Sequence, residues 1–282
     1  MGTTFVSTDL AARIDRAEAR LSASIGQAVC ARNTSRDAFV EEIGGGVAVY
    51  TGPSSPMNKM IGIGFGTALP DDGLERIEEQ FKSRDAPLQA EVSTLADPEV
   101  AARLTRRGYF LQGFENVLGR AIARHDADGD RQDAIDIGLS RGVEDDVRWL
   151  DVAITGFLHP DHQGVQAEPL PPRETLEAGL GDFTVALGFR RYFARVGGDV
   201  AGVATLRLDG GLAQLCGAAT LPAFRRRGVQ TALLRRRLAD AFAAGCDLAL
   251  LTTAPGSKSQ QNGHRQGFEL LFSRALLVKP PR

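Results

Sequence analysis

The spacing of apolar residues along the chain predicts alternating helices and strands. In the C-terminal half, apolar positions recur at helical spacing over 144–157 and again after Gly228. Shorter apolar runs, separated by turns that contain Gly and Asp, predict strands and hairpins. The predicted order is strand 134–139, helices 144–157 and 174–186, strands 192–196, 200–208 and 212–221, a helix after 228, strand 248–253, helix 257–266 and strand 268–278.

The N-terminal half shows a comparable alternation. Its predicted elements are helix 8–29, strands 47–50 and 59–65, helix 73–82, strand 88–94, helix 98–107 and strand 109–122. Residues 125–133 (HDADGDRQD) are polar and charged apart from one alanine, which is typical of a linker. We therefore predict a mixed α/β (α+β) fold with domains at 1–124 and 134–282, joined by a linker at 125–133.

An internal repeat relates the two halves. When the sequence is shifted by 159 positions, residues 88–111 align with residues 247–270 without a gap. Identical or similar pairs include Thr94 with Thr253, Gly108 with Gly267 and Tyr109 with Phe268. The order strand, helix, turn, strand also repeats, so we predict two related units in one chain.

Composition limits the function classes. The 282 residues are 43% hydrophobic and 24% charged, as in globular proteins, and the net charge of −2 favours neither nucleic acid nor an anionic membrane. No apolar run reaches the roughly 20 residues of a membrane helix, and the N-terminus lacks a signal-peptide pattern. Three widely spaced cysteines indicate buried thiols rather than disulfides or a zinc site. We therefore expect a cytoplasmic protein without a metal.

A basic turn between a strand and a helix is the main candidate for chemistry. Residues 225–230 (RRRGVQ) follow the strand that ends at Pro222 and lead into a helix with Leu234 and Leu238 on one face; Gly245 is predicted to end this helix. A helix N-terminus preceded by a flexible glycine is suited to bind an anion. Neither the GxxxxGK[ST] pattern of a nucleotide-triphosphate loop nor GxGxxG of a dinucleotide site is present there.

The stretch TLPAFRRRGVQTALL resembles the pyrophosphate loop of the GNAT N-acetyltransferases, with its pattern V-x-P-x-x-R-x-x-G-x-G/A. Thr220 takes the valine position, Pro222 the proline, Arg225 the arginine and Gly228 the glycine, while Gln230 departs from the usual small residue. A second segment, with Ser259, Asn262 and the pair Gly267–Phe268, is similar to another motif of that family. The order of elements over 134–280 is also that of the family.

The resemblance implies two GNAT-like domains in tandem and a reaction in which an amine of a small molecule or peptide attacks the thioester of acetyl-CoA. It implies that the cofactor binds through a loop, a strand end and one helix residue. A main-chain N–H near the strand end, at Ala219 to Leu221, would stabilise the oxyanion. The implied cofactor-binding residues are Ala219, Thr220, Leu221, Arg225, Arg226, Arg227, Gly228, Val229, Gln230, Thr231 and Asn262.

The catalytic groups are less determined. Many relatives carry a tyrosine acid four residues before the Gly-Phe pair, and this chain has Gly263 there. Candidate bases in the loop that borders the acceptor pocket in relatives are His159, His162 and Glu168. His264 and Ser259 lie near the missing tyrosine and are candidates for the acid, although exposed helix residues are the preferred interpretation of both. Arg235–Arg237 resembles a nucleic-acid patch, but without aromatic neighbours a solvated helix face is the preferred interpretation.

The N-terminal unit is predicted to have lost cofactor binding. Its corresponding segment, Gly66–Gly73, has no arginine and contains Asp71 and Asp72, which would repel a pyrophosphate. The repeat also places Arg103 where the C-terminal unit has Asn262. We expect this unit to act as a packing partner and as one wall of the acceptor site.

Three functions remain open from the sequence. The first is an active acetyltransferase, working as a monomer or homodimer. The second is an acyl-CoA-binding sensor or scaffold without turnover, which the missing tyrosine and the altered first unit would suit. The third is an RNA-binding protein that uses its arginines, which would show salt-dependent binding.

Overall fold

The computed structural model describes residues 5–32, 37–127, 134–160, 172–185 and 188–281. Within these ranges the chain forms seven α-helices and twelve β-strands. The helices are α1 Thr8–Arg32, α2 Asp71–Lys82, α3 Pro98–Arg106, α4 Val143–Leu158, α5 Arg173–Val185, α6 Val229–Ala243 and α7 Lys258–Arg265. The strands are β1 Phe39–Ile43, β2 Gly46–Tyr50, β3 Lys59–Ile61, β4 Leu88–Ser93, β5 Phe110–Ala121, β6 Asp136–Leu139, β7 Phe189–Val196, β8 Asp199–Asp209, β9 Leu212–Gln214, β10 Ala219–Thr220, β11 Leu248–Thr253 and β12 Glu269–Lys279.

The chain divides into two compact units. They differ from the predicted domains in the assignment of two strands, β5 and β12. The N-terminal unit contains Phe5–Val117 together with Leu270–Arg282, and the C-terminal unit contains Leu118–Thr184 and Gly188–Glu269. The last strand of the chain therefore belongs to the N-terminal unit, and the end of β5 belongs to the C-terminal unit. Hydrogen bonds between residues distant in sequence decide which unit each of these strands joins, and the local sequence pattern does not reveal those bonds.

The N-terminal unit has the sheet order β1-β2-β3-β4-β12. Strands β3 and β4 are parallel, whereas β12 pairs antiparallel with β4 from Lys279↔Leu88 to Arg274↔Ser93. One face carries a core to which α2 and α3 contribute Leu74, Ile77 and Leu104. The other face includes Val47, Val49 and Ile61, which pack with Ala19 of α1.

A buried ion pair connects the first helix of this unit to its last strand. The Arg274 guanidinium donates to Asp15 Oδ1 from Nε at 3.0 Å and from a terminal nitrogen at 2.7 Å, and both side chains are almost fully buried. Glu91 lies nearby and binds Lys59 Nζ at 2.8 Å. Removal of one partner from such a pair leaves a buried charge uncompensated.

The C-terminal unit has the sheet order β11-β9-β8-β7-β6, and β10 pairs with β8. Strands β9 and β11 are parallel and the other pairs are antiparallel. Helix α4 packs Trp149, Val152 and Ala153 on one face of this sheet. Helix α6 packs Leu233, Leu234 and Leu238 into the cluster that also contains Ala249.

The predicted order of elements is confirmed, with four differences in detail. The predicted strand 212–221 is two short strands separated by 215–218, strand 59–65 ends at Ile61, and β1 was not predicted. In the predicted linker, Asp126 accepts hydrogen bonds from Arg120 and from the N–H of Ala123, so 125–127 is structured; 128–133 lies outside the described residues. No described helix is both long and apolar enough to span a bilayer.

Candidate functional site

The basic turn between β10 and α6 adopts two left-handed backbone conformations. Arg226 has φ 62°, and Gly228 has φ 85° and ψ 0° immediately before α6 begins at Val229. Gly228 provides no side-chain hydrogen bond to cap the helix. The first N–H groups of α6 therefore lack a side-chain acceptor, and the helix dipole makes that end attractive to an anion. Gly245 ends α6 as predicted: it has φ 76°, directly follows the C-cap Ala244, and its N–H donates to Phe242 O at 2.9 Å.

The three arginines of the turn have different environments. The Arg225 guanidinium donates to the main-chain carbonyl of His159, just after the end of α4. Arg227 lies over the ring of Phe224, 5.4 Å from its centroid. Within the described residues neither Arg226 nor Arg227 forms an ion pair with a carboxylate, and both are exposed. Two positive charges beside the start of α6 thus lack an anionic partner in the described part of the chain.

Strands β9 and β11 part beside this turn. Their parallel pairing covers three residues, from Leu212↔Leu248 to Gln214↔Leu250, and the Leu215 N–H still donates to Leu250 O at 3.0 Å. The chain then turns at Gly217, which has φ 51°, and β10 pairs with β8 instead. Strand β11 continues to Thr253, so its last residues diverge from β10 and leave a splay between the two strands.

The hydrogen-bond pattern selects one main-chain donor in the splay. The Leu221 N–H donates to Ala201 O at 3.0 Å, so it is occupied. Because bonded and non-bonded pairs alternate in an antiparallel ladder, Ala219 forms a bonded pair with Val203, and the pair Thr220↔Gly202 is not bonded. Of the three residues predicted to supply a donor, Thr220 is the one whose N–H points away from β8.

Helix α7 contributes Asn262 and Gly263. Ser257 caps this helix by accepting from the Gln260 N–H at 3.2 Å. Asn262 is half-buried, and its amide makes no hydrogen bond within the described residues. Gly263 is buried; a Cβ built there would lie 3.1 Å from Leu251 Cδ1 and 3.5 Å from Leu118 Cδ2. Position 263 therefore faces the core of the unit.

Two of the four predicted catalytic candidates, His159 and His264, can be located. His159 is exposed, and its Nδ1 lies 2.8 Å from Thr155 O. His264 is exposed, with Nδ1 2.9 Å from Phe268 O and Nε2 3.2 Å from Gln260 Nε2. Both nitrogens of His264 are thus engaged within the unit. His162 and Glu168 lie outside the described residues.

The interpretation of Arg235–Arg237 as a solvated face is wrong for Arg237. This side chain is 2% exposed and donates to Leu233 O and Thr205 O, each at 3.1 Å. Arg237 follows Leu234 by three residues and therefore lies on the buried face of α6. Burial lowers the pKa of its guanidinium to about 10. Arg236 pairs with Asp240 at 3.0 Å and is half-buried.

The cysteines are all free thiols, as expected, but only Cys246 is fully buried; Cys30 and Cys216 are half-buried. Burial raises the pKa of the Cys30 thiol. The described residues contain no group of three or more His, Cys, Asp or Glu side chains that could hold a metal ion.

Comparison with known families matches the segment that carries these features. The model of the acetyltransferase (GNAT) family covers residues 156–268, from the last turn of α4 to the residue before β12. The C-terminal unit thus resembles a GNAT domain over this segment. The basic turn, the strand splay and α7 all lie within the matched GNAT segment. No curated protein matches the sequence.

Solved structures extend the likeness of the fold to almost the whole chain. A GCN5-related N-acetyltransferase from Kribbella flavida is 20% identical, with 96% of both chains covered and a TM-score of 0.66. A tandem GNAT protein from the clavulanic acid biosynthesis pathway is 14% identical, with 96% of both chains covered and a TM-score of 0.62. A functionally unknown conserved protein from Staphylococcus epidermidis is 13% identical, covering 89% of this chain and 96% of that one, with a TM-score of 0.58. The chain thus has a tandem GNAT fold.

The internal repeat is confirmed in the hydrogen bonds of the two units. Helices α3 and α7 end at Arg106 and Arg265, and the next strands begin at Phe110 and Glu269, each pair 159 positions apart. In the N-terminal copy the Tyr109 N–H donates to Leu104 O at 3.1 Å, and in the C-terminal copy the Phe268 N–H donates to Gly263 O at 3.0 Å. Gly108 and Gly267 both have positive φ. The repeat pairs Gly263 with Leu104, which is buried in its own core.

The segment of the N-terminal unit that corresponds to the GNAT loop is occupied by its own side chains. Arg103, the counterpart of Asn262, donates to the carbonyl of Leu69 and pairs with Asp71 at the start of α2. Arg107 binds Glu78 at 2.8 Å. A guanidinium and a carboxylate of the unit itself thus lie at the start of α2, whereas Arg226 and Arg227 at the start of α6 have no carboxylate partner within the described residues. This arrangement supports the expectation that the N-terminal unit does not bind a pyrophosphate.

Proposed function

We propose that the chain is an N-acetyltransferase that moves the acetyl group of acetyl-CoA to an amine of a small molecule or peptide, within a ternary complex. One observation carries the proposal: the left-handed turn at Gly228 joins β10 to the uncapped start of α6, beside the splay from β11, inside the matched GNAT segment. A dianionic phosphate group and an extended thioester arm suit these two neighbouring features.

The cofactor residues follow from this geometry. The N–H groups from Arg227 to Thr231 face the pyrophosphate in the proposal, and Arg225–Arg227 add positive charge. The pantetheine arm extends along the splay beside Ala219, Thr220 and Leu221. Asn262, whose amide is unpaired within the described residues, contacts the arm from α7.

The proposed reaction is a direct acyl transfer. The neutral amine attacks the thioester carbon, and the oxyanion of the tetrahedral intermediate accepts a hydrogen bond from the Thr220 N–H. The oxyanion then re-forms the carbonyl, the C–S bond breaks, and the electron pair leaves with sulfur as the CoA thiolate. The nitrogen of the new amide loses its extra proton to solvent or to the thiolate. Gly263 provides no acid, so the thiolate leaves without a proton from a phenol. This is feasible because a thiol with a pKa of roughly 8.5 has a stable thiolate, which is a good leaving group.

A base must take the proton of the acceptor ammonium. The main-chain carbonyl of His159 binds Arg225, and among the described residues only Nδ1 of its ring has a hydrogen-bond partner. His162 and Glu168 follow in the same segment. His264 suits the role less because both of its nitrogens are engaged. We propose His159, His162 and Glu168 as the residues to substitute first.

The test of the cofactor site is calorimetric titration with CoA. We expect the wild-type protein to bind CoA. Gly228→Asp should lose roughly 100-fold or more in affinity, because its carboxylate adds bulk and negative charge beside the main-chain N–H groups that bind the phosphate in the proposal. Gly198→Asp is the matched control, since Gly198 has φ 91° in the open β7–β8 turn of the same unit and a Cβ there meets no atom within 4 Å. Unchanged CoA affinity in Gly228→Asp would overturn the cofactor assignment.

A sensor without turnover is the second candidate function, and the core-facing Gly263 favours it. A phenol cannot occupy this position without displacing Leu251 and Leu118. The sensor and the enzyme share the cofactor site and differ in thiol release, so a CoA titration alone does not separate them.

A further inference from the structure

The C-terminal end of α4 is bound by two side chains. His159 is the C-cap of this helix, and its Nδ1 lies 2.8 Å from Thr155 O, four residues back. The Arg225 guanidinium, from the basic turn before α6, donates to the main-chain carbonyl of His159. The last turn of α4 contains no basic residue of its own. Arg225 therefore supplies the positive charge that stabilises the C-terminal end of a helix.

The hydrogen bond at Nδ1 determines the tautomer of His159. A carbonyl oxygen can only accept a hydrogen bond, so Nδ1 must carry the hydrogen that Thr155 O accepts. In a neutral imidazole the other ring nitrogen then has a free lone pair. Nε2 of His159 makes no hydrogen bond to any described residue, and the side chain is exposed. Nε2 is therefore the atom of this ring that can take up a proton.

A close contact places the end of α4 beside the strand of the proposed reaction centre. A Cβ built at Gly156 would lie 2.6 Å from Ala219 Cβ and 3.7 Å from the main-chain nitrogen of Thr220. The N–H of Thr220 is the proposed donor to the oxyanion. His159 follows Gly156 by three residues, which is a rise of about 4.5 Å along a helix. The ring of His159 is thus attached less than one helical turn from the residue that packs on β10.

We propose that Arg225 is a positioning residue that holds the end of α4, and that His159 is the base, with Nε2 as its proton acceptor. The role of His159 rests on the proposed function, whereas the role of Arg225 rests on the geometry alone. Nε2 takes a proton from the acceptor ammonium, which leaves a neutral amine and an imidazolium that still donates from Nδ1 to Thr155 O. The imidazolium later releases this proton to solvent. Arg226 and Arg227, which are exposed, provide the side-chain contacts to phosphate.

The tautomer is measured without any ligand, by nitrogen NMR of the labelled histidine rings above the pH at which they titrate. The signals of His159 are identified by their loss in His159→Asn, and they should show Nδ1 protonated and Nε2 unprotonated. Arg225→Met should lose this signature, because the end of α4 is no longer held. Arg225→Lys retains a cationic donor and should retain the signature. An Nε2–H tautomer in the wild type, or an unchanged signature in Arg225→Met, would overturn the role of Arg225.

Calorimetry with CoA separates this role from phosphate binding. Arg225→Met should change the Kd for CoA by less than about threefold, because its guanidinium binds α4. Arg226→Met is the same substitution at the exposed neighbour and should weaken CoA binding about tenfold. An equal loss in both variants would show that Arg225 binds phosphate and would contradict the inference. Failure of the wild type to bind CoA would overturn the proposed function, and the ring measurement would still decide the role of Arg225.

Thiol release from acetyl-CoA, measured with a lysine-containing peptide and with a small diamine, tests the base. The amide nitrogen of His159→Asn takes about the position of Nδ1, but the variant has no counterpart of Nε2. His159→Asn should therefore bind CoA normally and release thiol about 100-fold more slowly. Unchanged release would overturn His159 as the base. Absence of release in the wild type with either amine would count against the proposed reaction and not against the hold of Arg225 on α4.

Discussion

At the scale of single residues, Glu115 has the most unusual environment in the N-terminal unit. Burial and the negative charge of Glu91 raise the pKa of its carboxyl to about 7, although Arg274 and Lys59 act in the opposite direction and Glu18 adds further negative charge. The Arg274 guanidinium lies 3.4 Å from Glu115 and 3.9 Å from Glu91. Arg274 also pairs with Asp15, and Lys59 binds Glu91 directly, so Glu115 has the weakest ion pair of the cluster and its protonated form is favoured.

This environment predicts a pH-dependent stability. The folded state retains a proton on Glu115 that the unfolded chain releases near the ordinary pKa of 4.5. The stabilisation from this proton is therefore complete below that pH and is lost as the pH rises through the folded-state pKa of about 7. Glu115→Gln should flatten the decline of the urea midpoint between pH 5 and 8. A decline identical to that of the wild type would contradict the assignment of the proton to Glu115.

Local sequence revealed some of these residues and not others. Gly228 could be predicted because a left-handed turn before a helix leaves a short pattern in the sequence. The prediction for Arg237 is wrong because three adjacent arginines suggest a solvated helix face. Its burial depends instead on which face of α6 packs against the sheet. The contact of Arg225 with the end of α4 could not be predicted, because it joins residues that are distant in sequence. The environment of Glu115 likewise depends on four elements brought together by the fold.

At the scale of elements, α7 turns position 263 toward the core of the unit. Its Gly263 packs against Leu251, Leu118 and Phe268, and the corresponding Leu104 of α3 is buried in the other unit. The strand, helix, turn and strand of each copy were predicted because periodicity and punctuating glycines are local. The break at 215–218 could not be predicted in this way, because a continuous apolar run of this length indicates a single strand unless its pairing partners are known.

Substitution at Gly263 distinguishes packing from chemistry. Gly263→Ala should change stability by less than about 1 kcal/mol, because improved helix propensity offsets the close contact with the flexible Leu251 side chain. Gly263→Tyr should lower stability by about 1–3 kcal/mol through overpacking. Urea unfolding measures both. An unchanged stability in Gly263→Tyr would show that the position can open toward the splay.

At the scale of the whole molecule, the last strand of the chain completes the first unit. Strand β12 pairs with six residues of β4 and contributes Arg274, the buried partner of Asp15, and Leu277, part of the core. The sequence placed this strand in the C-terminal domain because it follows α7 directly. Chain order alone does not show which sheet a terminal strand joins.

Truncation tests this dependence. A chain that stops at Glu269 should lose the cooperative unfolding of the N-terminal unit, because β4 loses its partner strand and Asp15 is left as an unpaired buried charge. A chain that stops at Lys279 keeps β12 and is the control. Limited proteolysis with mass spectrometry should show early cleavage within 5–117 only in the shorter chain. Equal protection in both truncated chains would contradict the role of β12.

The proposed function itself is tested most directly by free thiol released from acetyl-CoA in the presence of an amine panel, with the acetylated amine identified by mass spectrometry. We predict release that depends on both the amine and the protein and that is lost in Gly228→Asp but not in Gly198→Asp. CoA binding without release above background for any amine would contradict an acetyltransferase and support an acyl-CoA sensor.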